Sequence, residues 1–228
     1  MWGGMASRLF QAKRDNIPLH WITMDNLRFR EFYRRRLPHI QIAGATYFVT
    51  FRLKNSLPVE VLEKLSLESE RIKRLSKDKI NMEQRRWFEK FDDYLDQALS
   101  GEAFLKNEQI ASLIAEAIYY RDMRVYDLIS FCILPNHVHL ICTPQEKEKD
   151  NFYSLTEILR SLKRHTARQS NLILRRSGPF WQDESYDSII RDEAELERII
   201  KYVLYNPVKA GLVKEQNDWK WTYCKYDM

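Results

Sequence analysis

The stretch FCILPNHVHLICTP, residues 131–144, constrains the fold of this chain more than any other. It consists of two apolar runs separated by the turn-forming pair Pro135-Asn136, a pattern that predicts two antiparallel strands joined by a tight turn. Side chains alternate between the two faces of a strand, so His137 and His139 point to one face while the residue between them points to the other. The sequence thus places two imidazoles a single pleat repeat apart.

Two imidazoles at this spacing can bind the same metal ion. The alternative is a pair of hydrogen-bonded histidines beside a core strand, which is the usual state of a single buried histidine. The pairing of His137 with His139 and the turn that opens their strand favour the metal-binding interpretation. By ligand type alone, zinc or manganese would suit such a site.

Length, charge and cysteine content limit the classes of protein to consider. The chain has 228 residues, a hydrophobic fraction of 44% and a net charge of +5, which predict a substantial core and suggest a polyanionic partner. No apolar run reaches the length of a membrane span and the N-terminus lacks a signal-peptide core, so a soluble, cytoplasmic protein is expected.

Cys132, Cys142 and Cys224 form no CxxC pair. Two of them lie in apolar strand-like runs, which predicts buried, reduced thiols.

Residues 1–39 are expected to form an N-terminal basic arm. Its later part, LRFREFYRRR, alternates arginines with aromatic residues. Guanidinium groups bind phosphates and aromatic rings stack on bases, so the segment is a candidate for nucleic-acid binding. The alternative is a solvated basic face with its aromatic side chains packed inward. The arginines concerned are Arg28, Arg30, Arg34, Arg35 and Arg36.

The order of the periodic segments predicts an α+β fold. A β-rich run at residues 47–53 is expected to form the first core strand, with Arg52, another candidate DNA contact, on the same face as Thr50. A helix at 107–122 precedes the two-histidine hairpin, and another at 155–168 follows it. This order favours a ferredoxin-like or RRM-like antiparallel sheet with helices on one face.

Two charged, amphipathic stretches at about residues 58–101 interrupt that order. Pro58 suits a helix start, and Gly101 suits the end of the second helix. The pair is expected to be a helical insertion between core elements that need not carry chemistry. With this insertion, residues 40–228 are expected to form a single domain.

The helix at 155–168 presents a basic stripe opposite its apolar side. Such a stripe can follow a phosphate backbone, whereas the alternative is solvated charge on an ordinary surface helix. The nearby Phe180 and Trp181 are candidates for base stacking, with hydrophobic packing as the favoured alternative. The stripe consists of Arg160, Lys163, Arg164 and Arg168.

A late helix carries two tyrosines at different angles around its axis. Asp192 suits its N-cap, and Pro207 follows near its expected end. At about 100° per residue, Tyr205 falls in solvent opposite the apolar arc, whereas Tyr202 falls at the margin of that arc with Asn206 beside it. A phenol and an amide oxygen presented together suit a nucleophile next to a metal ligand. The alternative is a packed tyrosine with one hydrogen bond.

Taken together, these segments resemble the HUH single-tyrosine transposases, and specifically the REP-associated tyrosine transposases. The histidine triplet alone is weakly specific, but the triplet after LPN combined with a downstream YVLYNPVKAGLV is strongly specific. The matching pieces, in the family's order between residues 40 and 224, are GATYFVTFRL, FCILPNHVHLICTP, SLTEILRSLKRHTA, FWQDESYDSIIRDEAELERIIKYVLYNPVKAGLV and DWKWTYC.

The resemblance implies a role for each matching residue. His137 and His139 correspond to the histidines of the HUH triplet, Tyr202 to the nucleophile and Asn206 to a third metal ligand. It implies Mg²⁺ or Mn²⁺ as cofactor and transesterification of single-stranded DNA bearing a REP-like hairpin, through a 5′-phosphotyrosine link. It further implies a cytoplasmic, nucleoid-associated monomer or homodimer that does not bind membranes. The arm before residue 26 contains no matching motif.

Two other functions remain open. A nucleic-acid-binding module on the same fold, without catalysis, would keep the basic helix and need no ion. The intact histidine triplet, Tyr202 and Asn206 speak against it. A hydrolytic metallonuclease would use water as its nucleophile and leave no DNA attached to the protein.

Overall fold

The computed structural model describes residues 29–34, 38–97 and 101–226. Within these ranges, two 3-10 helices lie at Phe104–Lys106 and Gln216–Asp218. The α-helices are α1 Val59–Ile72, α2 Lys77–Asp96, α3 Glu108–Tyr119, α4 Leu155–Ile173 and α5 Glu193–Lys209. The strands are β1 Phe29–Arg34, β2 Pro38–Ile42, β3 Thr46–Arg52, β4 Tyr126–Ile133, β5 His137–Pro144, β6 Glu146–Glu148, β7 Asn151–Phe152, β8 Tyr186–Ile190 and β9 Thr222–Cys224.

A five-stranded antiparallel sheet in the order β8-β3-β5-β4-β9 forms the centre of the described fold. The predicted hairpin is confirmed, since the N–H of Leu134 donates to the carbonyl of His137 at 2.9 Å and closes the turn between β4 and β5. In the pairing of β3 with β5, Thr50 lies opposite His139. With a neighbour on each side, β5 is the central strand, and both of its faces are buried.

Helices cover both faces of this sheet. On one face, α3 and α4 pack against a core that includes Val49 and Leu140. On the other face, α5 and the inserted α1 and α2 pack against a second core that includes Phe48 and Ile141. The expected α+β class is confirmed, and α3 and α4 share one face as predicted. The remaining helices lie on the opposite face, because that face is also apolar and has to be covered.

Local capping signals set the starts of the helices. The Asn107 side chain accepts two backbone N–H groups in the first turn of α3. Ser154 and Glu157 form a reciprocal capping box at the start of α4. The Asp192 side chain accepts a backbone N–H in the first turn of α5, as predicted.

Two helix ends differ from the prediction. α2 ends at Asp96 rather than at Gly101. A Cβ at Gly101 would lie only 2.8 Å from the carbonyl oxygen of Asn55, so this glycine instead permits a close approach of the two chain segments that flank the insertion. α5 continues through Pro207 to Lys209. Pro207 has no N–H to donate to the carbonyl of Val203, and the helix continues for only two residues beyond it.

The segment expected to be a basic arm contains β1 and the first residues of β2, and these two strands pair as a two-stranded sheet. Arg28, Arg35 and Arg36 lie outside the described residues, as do the side chains of Arg30 and Arg34. Their contact with DNA therefore stays a prediction.

The predicted state of the thiols is confirmed for two cysteines. Cys132 and Cys142 are free and buried, and burial raises the pKa of each thiol to about 12. Both are therefore protonated at neutral pH. Among the described helices, none has both the length and the apolar character that a bilayer span requires.

Candidate metal centre and nucleophile

His137 and His139 project from β5 to the face covered by α5 and α2, and both are fully buried. Their Nε2 atoms lie 3.2 Å apart. Each Nδ1 has a partner of its own, with Oδ1 of Asn136 at 2.6 Å from His137 and the hydroxyl of Thr50 at 2.8 Å from His139. These partners orient both rings so that the Nε2 atoms face a common point.

The same partners indicate which ring nitrogen carries the proton. Oδ1 of Asn136 can only accept, so Nδ1 of His137 donates and its Nε2 presents a lone pair. The hydroxyl of Thr50 can accept from Nδ1 of His139, and in that tautomer Nε2 of His139 also presents a lone pair. Burial, followed by the neighbouring His139, lowers the pKa of His137 to about 3. The His137 ring is therefore neutral at neutral pH.

α5 brings Tyr202 and Asn206 to the same point, as the helical spacing predicts. The ring of Tyr202 lies 5.6 Å from the ring of His139 and 6.1 Å from that of Phe48, between centroids. Asn206 is buried, and its Oδ1 accepts no hydrogen bond from the described residues. A half-turn of its carboxamide would present Oδ1 to the imidazoles. Tyr205, by contrast, is 57% exposed, as predicted.

α2 supplies a residue that sequence reasoning missed. Asp92 is fully buried, and its Oδ1 lies 3.3 Å from Nε2 of His139 and 3.7 Å from Nε2 of His137. Its Oδ2 accepts hydrogen bonds from the Tyr202 hydroxyl and from Nδ2 of Asn206. The insertion, expected to need no chemical role, thus reaches the centre of the site. In the sequence, Asp92 is one of many acidic residues on a charged helix, so no signal distinguished it from surface charge.

The donor atoms fit a divalent cation. Nε2 of His137, Nε2 of His139 and an oxygen of Asp92 all lie within 4.8 Å of one another. Two ligands at about 2.1 Å from one ion are separated by about 3.0 to 3.4 Å at octahedral or tetrahedral angles, a range that includes the observed spacing of the imidazoles. These three residues could hold a metal ion, and Asn206 could join them after the half-turn of its amide.

An ionic cluster joins α2 to the C-terminal end of α5 beside this site. Nζ of Lys209 lies 2.7 Å from Asp93, 3.1 Å from Asp96 and 3.6 Å from Asp92. Burial by itself raises the pKa of the Asp92 carboxyl, and the ammonium of Lys209 opposes this by favouring the carboxylate form. Burial, followed by Asp92, raises the pKa of Asp96 to about 6. Three carboxyl groups thus surround a single ammonium group beside the site.

The predicted DNA contacts of the basic helix do not share the face of the imidazoles. Arg160, Arg164 and Arg168 are exposed on α4, which covers the opposite face of the sheet. Lys163 instead donates to two carbonyls and one hydroxyl of residues 182–185. Its ammonium group therefore holds that segment against α4.

Arg52 shares a face with Thr50, as predicted, and the structure shows that this is also the face of the imidazoles. Arg52 is only 6% exposed. Its guanidinium donates to the hydroxyl of Ser56 at 3.0 Å. It lines a cavity of about 750 Å³ together with Thr50, Trp87 and Tyr186. Because Thr50 also contacts His139, this cavity lies beside the candidate metal centre.

Phe180 and Trp181, the candidates for base stacking, are core residues with 2% and 5% of their surface exposed. The indole N–H of Trp181 donates to the hydroxyl of Thr166 at 2.9 Å. Both side chains therefore pack as the favoured alternative predicted.

The motif resemblance is confirmed by comparison with known proteins, although no protein-family model matches the chain. The chain is 31% identical over 109 residues to a Haemophilus influenzae protein provisionally named REP-associated tyrosine transposase. It is 27% identical over 105 residues to the REP-associated tyrosine transposase of Escherichia coli. The matches cover 45% and 46% of this chain, and they span only 61% and 58% of the two relatives.

Among solved structures, a REP-associated tyrosine transposase bound to a REP hairpin is similar to this chain. The alignment covers 85% of this chain and 82% of that protein, with a TM-score of 0.48 and 20% sequence identity.

Proposed function

We propose that the chain is a metal-dependent, single-tyrosine enzyme that nicks and rejoins single-stranded DNA, acting as a transposase on REP-like hairpin repeats. The observation that carries this proposal is the convergence of Tyr202, His137, His139 and Asn206 within one chain, although Asn206 and His139 are 67 residues apart in sequence. The names of the two relatives support the substrate class. Because one chain contains all of these residues, a monomer or a homodimer could carry the activity.

In the proposed reaction, the phenol oxygen of Tyr202 attacks the phosphorus of a DNA phosphodiester. A bond forms between that oxygen and the phosphorus, and the bond from the phosphorus to the 3′ oxygen breaks. The phenol loses its proton and the departing 3′ oxygen gains one, so a free 3′ hydroxyl and a 5′-phosphotyrosine link result. Attack on that link by a 3′ hydroxyl reverses the exchange and rejoins strands without ATP.

Each side chain has a defined task in this scheme. His137, His139 and Asn206 would hold Mg²⁺ or Mn²⁺, which when bound neutralises and polarises the phosphate. Packing against Phe48 positions the ring of Tyr202. The buried surroundings of the imidazoles exclude water, which favours exchange between hydroxyl groups over hydrolysis.

Basic side chains would bind the DNA backbone. Arg160, Arg164 and Arg168 are exposed on α4, and Arg52 faces the cavity beside the site. Because α4 and the site lie on opposite faces, a strand that touches both has to pass around an edge of the sheet. The β8 edge is favoured, because Tyr186 of β8 and Arg52 line the same cavity. The cavity beside Arg52 is then the route by which the strand would approach Tyr202.

The test is the formation of a covalent protein–DNA adduct. The full chain is incubated with a pool of hairpin-tailed single strands and Mn²⁺, and the products are separated on a denaturing gel. Tyr202→Phe should abolish the adduct, while its DNA affinity, measured by fluorescence anisotropy, stays within about twofold because the phenol oxygen is not needed for binding. Tyr205→Phe, an exposed tyrosine on the same helix, is the matched control and should form the adduct normally.

Three outcomes would contradict the proposal. A normal adduct yield from Tyr202→Phe would remove this residue from its role. Strand cleavage without an adduct would indicate a hydrolytic nuclease. Binding without any cleavage, unaffected by a chelator, would indicate a non-catalytic binding module.

A further inference from the structure

The two carboxylate oxygens of Asp92 have different neighbours, and the scheme above uses neither. Oδ2 accepts hydrogen bonds from the hydroxyl of Tyr202 and from Nδ2 of Asn206. Oδ1 accepts no hydrogen bond from the described residues, although the side chain is fully buried. A buried carboxylate oxygen without a donor is unfavourable, so its presence indicates a ligand that the protein atoms do not supply.

Ion pairing with Lys209 does not account for Oδ1. The ammonium lies closer to Asp93 and Asp96, at 2.7 and 3.1 Å, than to Asp92, at 3.6 Å. It also approaches Oδ2 of Asp92 rather than Oδ1. Asp93 is 49% exposed and could pair with this cation without any buried acid. The position of Oδ1 therefore needs another reason.

The neighbours of Oδ1 supply that reason. Nε2 of His139 lies 3.3 Å from Oδ1, and Nε2 of His137 lies 3.7 Å from it. Nδ1 of His137 donates to Oδ1 of Asn136, so its Nε2 presents a lone pair, and Nε2 of His139 does the same when Nδ1 of that ring donates to the hydroxyl of Thr50. Three possible metal-ligand atoms thus converge on one small volume. A divalent cation satisfies all three at once.

We propose that Asp92 belongs to the cleavage site, where Oδ1 completes the protein ligands of the divalent cation and Oδ2 holds the hydroxyl of Tyr202. One carboxylate then sets the distance between the cation and the nucleophile. Only the second half of this inference rests on the function proposed above, since the cation site is defined without DNA. The inserted helix α2 thereby supplies part of the site.

The first arm of the test measures binding of Mn²⁺ alone to the full chain by isothermal titration calorimetry. Asp92→Asn keeps the size of the side chain but removes its charge, and it should weaken Mn²⁺ binding by at least about tenfold. Asp93→Asn, the neighbouring acid that pairs with Lys209, is the matched control and should stay within about twofold. Equal Mn²⁺ affinity in Asp92→Asn and the wild type would overturn the claim that Oδ1 of Asp92 binds the cation. Circular dichroism establishes that each variant folds, and Asp92→Ala provides a second variant for the same comparison.

The second arm measures the rate of adduct formation at Mn²⁺ concentrations that saturate each variant. Asp92→Ala removes the acceptor of the Tyr202 hydroxyl and should still slow the reaction by at least about tenfold, with DNA affinity unchanged. Asp93→Ala should react at the wild-type rate. Equal rates for Asp92→Ala and the wild type would overturn the claim that Oδ2 of Asp92 positions the Tyr202 hydroxyl.

The two arms separate this inference from the proposed function. If the wild type forms no covalent adduct with DNA while Asp92→Asn loses Mn²⁺ affinity, the proposed function fails. The claim that Asp92 binds the cation then stands. If the wild type forms the adduct and the Asp92 variants keep both Mn²⁺ affinity and rate, the inference fails and the proposed function stands.

Discussion

Replacing Asp96 with asparagine should stabilise the protein near neutral pH relative to the wild type, by an amount that vanishes in mild acid. Burial, followed by Asp92, raises the pKa of the Asp96 carboxyl from 3.8 to about 6. An acid whose pKa is higher in the folded than in the unfolded state binds its proton more tightly when folded. The free energy of unfolding therefore falls as pH rises between those two values. The asparagine variant has no such loss.

The magnitude follows from the size of the shift. Each pKa unit corresponds to about 1.4 kcal/mol, so complete ionisation of Asp96 lowers the free energy of unfolding by about 3 kcal/mol. The side chain is only 5% exposed, so solvent screening removes little of this. We expect the stability difference between Asp96→Asn and the wild type to grow by about 2 to 3 kcal/mol between about pH 4 and about pH 7.

The assay is urea denaturation of both proteins, with a chelator present, at several pH values across that range. The pKa of His137 is lowered from 6.5 to about 3, so its contribution to stability is lost as pH falls below about 6.5. This loss occurs in both proteins and cancels in their difference. A stability difference that stays constant, or that shrinks as pH rises, would refute the reasoning.

Two further predictions concern DNA and the metal. Replacing Arg160, Arg164 and Arg168 together with serine should weaken DNA binding and reduce the slope of log affinity against log salt by about 2, because about three phosphate contacts are lost on a single strand. Fluorescence anisotropy over a range of salt concentrations measures this slope. Thr50→Val removes the hydroxyl that orients His139 and should weaken Mn²⁺ binding by about tenfold or more, as measured by calorimetry.

Each of these predictions has a control within the chain. Lys163→Met should lower the free energy of unfolding and leave the salt slope unchanged. The reason is that the Lys163 ammonium makes three hydrogen bonds to residues 182–185. An unchanged slope in the triple serine variant would place the DNA path elsewhere. Thr46→Val alters the same strand as Thr50, but Thr46 bonds the hydroxyl of Thr143 rather than a histidine. Mn²⁺ binding that weakens equally in both threonine variants would contradict the orienting role of Thr50.

The sequence by itself determined the features that depend on neighbours along the chain. Strand alternation was enough to place His137 and His139 on one face, because the side-chain period of a strand is independent of the rest of the fold. Helical geometry was likewise enough to separate Tyr202 from the exposed Tyr205, since both lie on one regular helix. The capping residue Asp192 could be recognised for the same reason, as it bonds within its own first turn.

Only the tertiary structure decided what depends on how distant segments pack. Asp92 reaches the imidazoles because α2 folds back over the face opposite α4, and its bond to Tyr202 joins residues 110 positions apart. The same packing placed Arg160 on the face opposite the site. It also left the ammonium of Lys163 bonded to the carbonyl of Gln182 rather than exposed to solvent. Nothing in the local sequence distinguishes a buried acid from a surface acid on a charged helix, because burial is a property of the assembled layers.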